Sequence, residues 1–442
     1  MMNSEWLSPL FEDSDVAGLL ADEQFIAHMV TFEAALAKVE GELGIIPSDA
    51  AARILDALPT FKPDIQGVLR GVDQSGVPTI ELVKQLREHV RGDAASYVHW
   101  GATSQDVMDT ALVLQLRGIL AVLEGKLVRL IDHLAQLADK YRHTLMAGRT
   151  HSQQALPITF GLKVAGWLAP LSRHRARLGE LKPRLLVLQF GGAVGTLASL
   201  GDAGLQVQEA LAKELELGVP ILPWHTQRDN VVELASWLSL VTGSLGKIGQ
   251  DIILLAQSEV DELRESGDSA RGGSSTMPQK SNPVISETLI AAARTNAAHL
   301  SAMQQALIQE HERATGGWQI EWLTLPQMLM LTGAALEKGL FLSANLVVNE
   351  AKMQHNVEDS NGLMLAEALN LALAPILGRV EAQKLIKTAI QTALKENRHL
   401  VDVVREQTNV SLDWDSLRDA RNYLGISELL IERALNQARQ QD

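Results

Sequence analysis

Cysteine is absent from this chain of 442 residues, and aromatic residues make up only 4% of it. Without cysteine there is no disulfide, no thiolate metal ligand and no cysteine nucleophile. Ala and Leu dominate over Val, Ile and Tyr, a bias toward helix rather than sheet. Dense Lys/Arg blocks are missing too. With 39 Lys and Arg against 53 Asp and Glu, the formal charge is −14, which makes nucleic acid and anionic membranes poor partners. An anionic substrate must therefore be met by a local cationic pocket. The opening Met1-Met2-Asn3-Ser4-Glu5-Trp6 lacks a basic-then-apolar signal pattern. The longest uncharged stretch, Leu185 to Gly201, carries four glycines and is too short and too Gly-rich to span a bilayer. The expectation is a soluble cytoplasmic protein with no internal repeat and no low-complexity tract.

What is present is long helical periodicity. Val113, Leu116, Leu120, Leu123, Leu127, Leu130, Leu134 and Leu137 step alternately by three and four, and Val231, Leu234, Leu238, Val241, Leu245, Ile248, Ile252 and Leu255 do the same. Each set predicts a helix of about seven turns with one apolar seam, the geometry of a bundle. Val164, Trp167, Leu171, Leu178 and Leu181 predict a third long helix that kinks at Pro170 and ends before Pro183. The Ala-rich stretch from Val284 to Glu310 and the segment from Gln327 to Asn349 predict two more. Shorter helices are expected at Glu23 to Leu43, Ala382 to Glu396 and Ser427 to Gln440. The length exceeds that of a single core. The reading is all-α, in three helical domains: an N-terminal domain over 1–106, a central bundle over 107–350 and a closing domain over 351–442.

Between two predicted helices lies Gly272-Gly273-Ser274-Ser275-Thr276-Met277-Pro278-Gln279-Lys280-Ser281-Asn282-Pro283, which cannot continue either. Its glycines free the backbone to turn N–H groups inward, and its prolines fix the exit. Such a loop can offer backbone donors, hydroxyls, an ammonium and an amide to one anion. The composition alone suits a Ser/Gly-rich linker, but Met277, Pro278, Lys280, Asn282 and Pro283 interrupt it in a fixed order. That order resembles the signature G-S-S-x-M-P-x-K-x-N-P of the fumarase/aspartase superfamily, matched at all its fixed positions. The resemblance implies a homotetramer with a central long-helix bundle and active sites shared between subunits. It implies proton abstraction next to a carboxylate, with Ser274 as base, Lys280 and Asn282 holding the carboxylate, and Ser275 and Met277 beside the substrate.

Two further clusters extend the resemblance. Gly148-Arg149-Thr150-His151-Ser152-Gln153-Gln154-Ala155-Leu156-Pro157 sits at a Gly-to-Pro junction where a loop is expected. An isolated loop histidine is ordinarily a solvated surface residue, but this run is similar to the family's G-x-T-H-x-Q-x-A-x-P pattern. The match implies catalysis by His151 beside Glu287, with Thr150 at the substrate. His99-Trp100-Gly101-Ala102-Thr103-Ser104-Gln105-Asp106 resembles the H-x-G-x-T-S-x-D element of adenylosuccinate lyases and 3-carboxy-cis,cis-muconate cycloisomerases. Thr103 and Ser104 are candidate carboxylate donors and His99 a further polar contact. Thr103, Ser104 and Asp106 are also ordinary capping residues for a helix start, and the free N–H groups there also attract anions.

Gln189-Phe190-Gly191-Gly192-Ala193-Val194-Gly195-Thr196 has neither a βαβ setting nor a Gly-Lys-Ser/Thr ending, so its resemblance to a nucleotide loop is weak. Trp224 to Asp229 opens the second seam helix and brings Gln227 toward the site. Glu310-His311-Glu312-Arg313 lacks the second histidine of a zinc motif, leaving Arg313 as a second cation for a polycarboxylate or a surface charge. No metal and no cofactor are expected.

Within the superfamily, His99 to Thr110, Leu185 to Asp202, Trp224 to Asp229 and Gln309 to Trp322 look most like the cycloisomerase subgroup, and the resemblance weakens after residue 350. Bacterial cycloisomerases of this kind typically have another residue where this chain has His151. The pair His151 and Glu287 is lyase-like, so an epimerase or a C–N or C–O lyase acting on a substituted succinate, of iminodisuccinate, adenylosuccinate or argininosuccinate type, stands as the alternative. A non-catalytic scaffold that inherited the fold is the rival class. Such a scaffold is expected to have lost Ser274, His151 or Lys280, and none is lost.

Overall fold

The structure, a computed structural model, describes residues 5–266, 272–273, 276–277 and 280–439. Its principal elements in chain order are α1 (Asp22–Glu42), α2 (Ser48–Ala57), α3 (Thr79–Val90), α4 (Ser104–Lys140), β1 (Leu145–Thr150), β2 (Gln153–Thr159), α5 (Phe160–Leu185), α6 (Asp229–Leu255), α7 (Val284–Ala306), α8 (Gly317–Asn345), α9 (Ala366–Leu377), α10 (Arg379–Glu396), α11 (Leu400–Glu406) and α12 (Ser427–Arg439). The fold is all-α. Among the described residues the sheet amounts to two small antiparallel pairs, β1 with β2 and Leu263–Arg264 with Val347–Val348.

The seams explain the long helices. Seven of the eight seam residues in α4 are buried, Leu137 being half-buried, and all eight in α6 are buried. By length and composition α6 is apolar enough to cross a membrane, but its apolar seam lies inside the protein. Two expected helix ends are corrected. Pro183 does not stop α5, which passes through Pro170 and Pro183 to Leu185. The element expected to begin at Gln327 begins at Gly317, with Pro326 inside it. Proline removes one backbone hydrogen bond; burial of Leu181 and Leu185 around one and of Leu325, Met328 and Leu329 around the other holds the helix across the gap.

The chain forms two compact units, and each boundary between their segments falls inside one of the five long helices. The first comprises residues 1–126, 174–243 and 292–337. In it α1, α2 and α3 close an apolar cluster of Ala37, Ile46, Ile54, Leu86 and Val98. A buried polar node joins three helices: Asn296 of α7 donates to Thr332 Oγ1 at 3.1 Å and to the Met328 carbonyl at 3.3 Å, both on α8, and lies 3.4 Å from Thr242 Oγ1 on α6.

The second unit comprises residues 127–173, 244–291 and 338–442. There Trp167 of α5 donates through Nε1 to Asp251 of α6 at 2.7 Å. A Cβ at Gly339 of α8 would stand 3.2 Å from Leu130 and 3.3 Å from Leu245, so the glycine sets a close approach of α8 to α4 and α6. The C-terminal helices α9, α10 and α11 bury Leu369, Leu373, Ile386, Leu400 and Val403 in a cluster of their own.

Candidate active site

In the first unit the site is built around Asp106. Thr103 immediately precedes α4, and Asp106 on the first turn accepts the Thr103 N–H at 3.0 Å, the carboxylate half of a capping box. The same buried carboxylate accepts the Gly191 and Gly192 N–H groups, each at 2.9 Å, and His225 Nε2 at 2.7 Å. Asp106 thus ties the helix start to two segments more than eighty residues away. Gly192 has φ +68°, and a Cβ there would come within 3.1 Å of the Gly101 carbonyl, so the run that mimics a nucleotide loop is a glycine turn folded onto the α4 N-terminus.

Two residues singled out from the sequence meet at this point. The guanidinium of Arg313, in the turn before α8, donates to Thr103 Oγ1 at 3.1 Å and to the Ala193 carbonyl at 2.9 Å. Ser104 occupies the first turn of α4 beside them. His99 adopts φ +63°, a conformation uncommon for a residue with a side chain. Its Nδ1 lies 2.6 Å from Glu33 Oε1 on α1. Burial alone pulls the imidazole pKa down; the Glu33 charge and hydrogen bond reverse this and hold it above its ordinary value. Gln227 is exposed ahead of α6, and no side-chain hydrogen bond among the described residues holds it there.

Beneath this lies a charge network that the sequence did not disclose. Arg228 is fully buried, bidentate to Asp109 at 2.7 and 3.0 Å and to Glu321 at 2.8 and 2.6 Å, with its guanidinium 4.7 Å from the Trp224 ring centre. Gln105 and Trp318 also donate to Asp109. Desolvation and the neighbouring Asp109 push Glu321 above the usual carboxyl range, against the pull of Arg228. Removing one member of such a buried set strands the others, so the network fixes the start of α6 against α4 and α8.

The second unit holds the remaining candidates. The segment expected as a loop is a hairpin, with Thr150 paired to Gln153 and His151-Ser152 as its two-residue turn. Both turn residues are left-handed, at φ +49° and +64°, the geometry that Asn-Gly usually supplies. Arg149 anchors the hairpin through a bidentate pair with buried Glu262, at 2.7 and 2.9 Å, and Asn356 donates to the same carboxylate at 2.8 Å. His151 is exposed, as is Glu287 on the first turn of α7, and no hydrogen bond or ion pair joins them. The signature loop closes on itself: Gly273 bridges Ser281, and Asn282 N–H donates to the Gly272 carbonyl at 2.8 Å. Gly272 has φ +69°, and a Cβ there would collide with the Asn282 backbone. Lys280 is exposed and Asn282 partly so, and Met277 is exposed on the same loop. Ser274 and Ser275 lie outside the described residues. The N-terminus of α7 is already capped by Glu265, which accepts the Ile285 and Ser286 N–H groups at 3.0 and 2.6 Å.

A depression of about 910 Å³ in the second unit, lined by His143, Glu350, His399 and Arg418, contains none of these residues. Both of its arginines are paired locally, Arg418 with Asp402 and Arg421 with Asp419.

Residues 16–295 match the lyase family, and residues 362–434 match the adenylosuccinate lyase C-terminus. The 3-carboxy-cis,cis-muconate cycloisomerase of Pseudomonas aeruginosa is 46% identical over 96% of this chain and 94% of its own. That of Acinetobacter baylyi is 41% identical over 99% of each. The crystal structure of the 3-carboxy-cis,cis-muconate lactonizing enzyme from Pseudomonas putida superposes with a TM-score of 0.93 at 43% identity, over 99% of this chain and 100% of that one. With the signature loop, the α4 cap and the hairpin in place, the chain belongs to the lyase family of the fumarase/aspartase superfamily and is an isomerase or lyase enzyme.

Proposed function

We propose that this enzyme is a 3-carboxy-cis,cis-muconate cycloisomerase working by acid–base chemistry, as a cytoplasmic homotetramer. Likeness to curated cycloisomerases at 41–46% identity over at least 94% of both chains carries the reading. In this reaction one carboxylate oxygen adds to an alkene carbon and closes the lactone. The alkene electron pair moves onto the neighbouring carbon, beside a carboxylate, and that carbon takes a proton. Ser274 delivers the proton, which by microscopic reversibility is the carbon-proton abstraction of the superfamily. Lys280 and Asn282 hold the carboxylate that bears the developing charge and bind it more strongly as that charge grows. Arg313, Thr103, Ser104 and His99 receive a second carboxylate; the hydrogen bond between Arg313 and Thr103 supports their acting together.

A second reading, elimination from or epimerisation of a substituted succinate, is favoured by the presence of both His151 and Glu287. The two are separated by incubating the enzyme in D2O with 3-carboxy-cis,cis-muconate, adenylosuccinate, argininosuccinate and iminodisuccinate. Loss of the conjugated diene with one deuterium in a lactone product is the expected result. Turnover of a substituted succinate without lactonisation of the muconate overturns the first reading in favour of the second.

A further inference from the structure

Glu33 belongs to no motif, yet it is the residue on which His99 rests. It sits in the middle of α1 with its side chain 2% exposed, and the His99 side chain is 15% exposed. Their 2.6 Å contact takes Nδ1, while Nε2 has no partner among the described residues. The other Glu33 oxygen is buried and also unpartnered. With Nδ1 turned to a buried carboxylate, the Nε2 edge is the one left to meet a ligand. That edge is four residues from Thr103, whose hydroxyl is already held by Arg313. The backbone reinforces this aim: φ +63° at His99 persists only where its surroundings enforce it.

We propose that Glu33 is a positioning residue for His99, fixing the ring with Nδ1–H toward the core and Nε2–H free to donate to a substrate carboxylate. The inference rests on the polycarboxylate reading above and adds to it the group that makes His99 a cationic donor. Three charged side chains bear on the ring: Glu33 from α1, Asp106 from α4 and Arg87 from α3. Asp106 is committed to His225, and Arg87 donates to the Val98 carbonyl at 3.0 Å, leaving Glu33 as the one that touches the imidazole. A second carboxyl on α1, Glu40, is fully buried with neither oxygen partnered among the described residues. Burial and the Glu33 charge push it up to about 9, so at neutral pH Glu40 keeps its proton. The sign follows. His99 stays an imidazolium to higher pH than a free histidine, and carboxylate binding is lost as pH rises through that raised value. Without Glu33, desolvation and Arg87 are opposed only by the smaller pull of Asp106, and the loss moves to lower pH.

The test is Glu33→Gln in the full-length enzyme, read two ways. In the free protein with 13Cε1-labelled histidine, the His99 resonance is identified by its loss in His99→Gln and titrated. Its midpoint is expected to fall by about one pH unit or more in Glu33→Gln. With 3-carboxy-cis,cis-muconate, KM is expected to rise about tenfold with kcat changed far less, and the alkaline limb of kcat/KM to move down with the His99 midpoint. Should Glu33→Gln fail to fold, Glu33→Asp keeps the buried charge and withdraws it by one methylene, and is expected to give both shifts in smaller degree. An unmoved His99 midpoint overturns the proposal, as does a moved midpoint with unchanged KM. Wild-type enzyme that leaves the muconate untouched refutes that substrate but not the pair, and the KM arm then runs on whichever substituted succinate is converted.

Discussion

A serine hydroxyl exchanges a proton with carbon only when fixed donors stabilise either its alkoxide or the charge building on the substrate. The signature loop is suited to supply them. Gly272 and Gly273 close onto Ser281 and Asn282, which carries Lys280 and Asn282 at the neck of the same loop as Ser274. We therefore expect Ser274→Ala to lower kcat by at least about 10²-fold with folding intact, and near-normal turnover of a folded variant removes Ser274 from the role. At this scale the sequence was informative where a fixed order of unlike residues stood in a loop: His99, Thr103 and Arg313 were all picked out, and Thr103 and Arg313 meet through a hydrogen bond. Asp106 read only as a capping residue, because its other three donors come from residues 191, 192 and 225. Glu33, Glu262 and Glu265 gave no signal, since a lone glutamate in a helix or loop looks like any solvated charge until its partner is seen.

Among the elements, the long helices were the most legible, because a three-four seam sustained over about seven turns has one interpretation. Hairpin β1–β2 was not: its strands are short, its turn is His151-Ser152 rather than Asn-Gly, and register is set by the distant Arg149 and Glu262 pair. The end expected before Pro183 and the start expected at Gln327 differ from the structure because packing outweighs the one hydrogen bond lost at Pro183 and at Pro326. Helix α1 carries a different cost. A fully buried Glu40 whose pKa is raised to about 9 holds its proton when folded and releases it when unfolded. The unfolded chain then binds fewer protons between the ordinary carboxyl pKa and about 9, so stability falls as pH rises across that window. The penalty at pH 7 is on the order of 3 kcal/mol. Glu40→Met is expected to raise the unfolding temperature at pH 8, with the gain shrinking toward pH 5. A gain independent of pH, measured by calorimetry, contradicts a protonated Glu40.

For the whole molecule, the candidates are divided between two compact units, and the question is how a site is completed. His151 and Glu287 are exposed and have no hydrogen-bond or ion-pair partner among the described residues, and large apolar side chains are exposed on the long helices, among them Leu240 at 48% and Leu254 at 44% on α6 and Leu323 at 71% on α8. Both facts accord with the proposed homotetramer, in which each site takes the His151 hairpin and the Ser274 loop from different subunits. That arrangement makes a prediction no single variant can test. His151→Gln and Ser274→Ala are each expected to be strongly impaired alone. When the two are unfolded together and refolded, random mixing of protomers gives about one site in four with both residues intact, and activity should return to roughly that share of wild type. Light scattering on each pure variant and on the mixture checks that all form the same assembly. Assembly without recovery of activity means that hairpin and loop serve one site from one chain, and the shared-site arrangement falls.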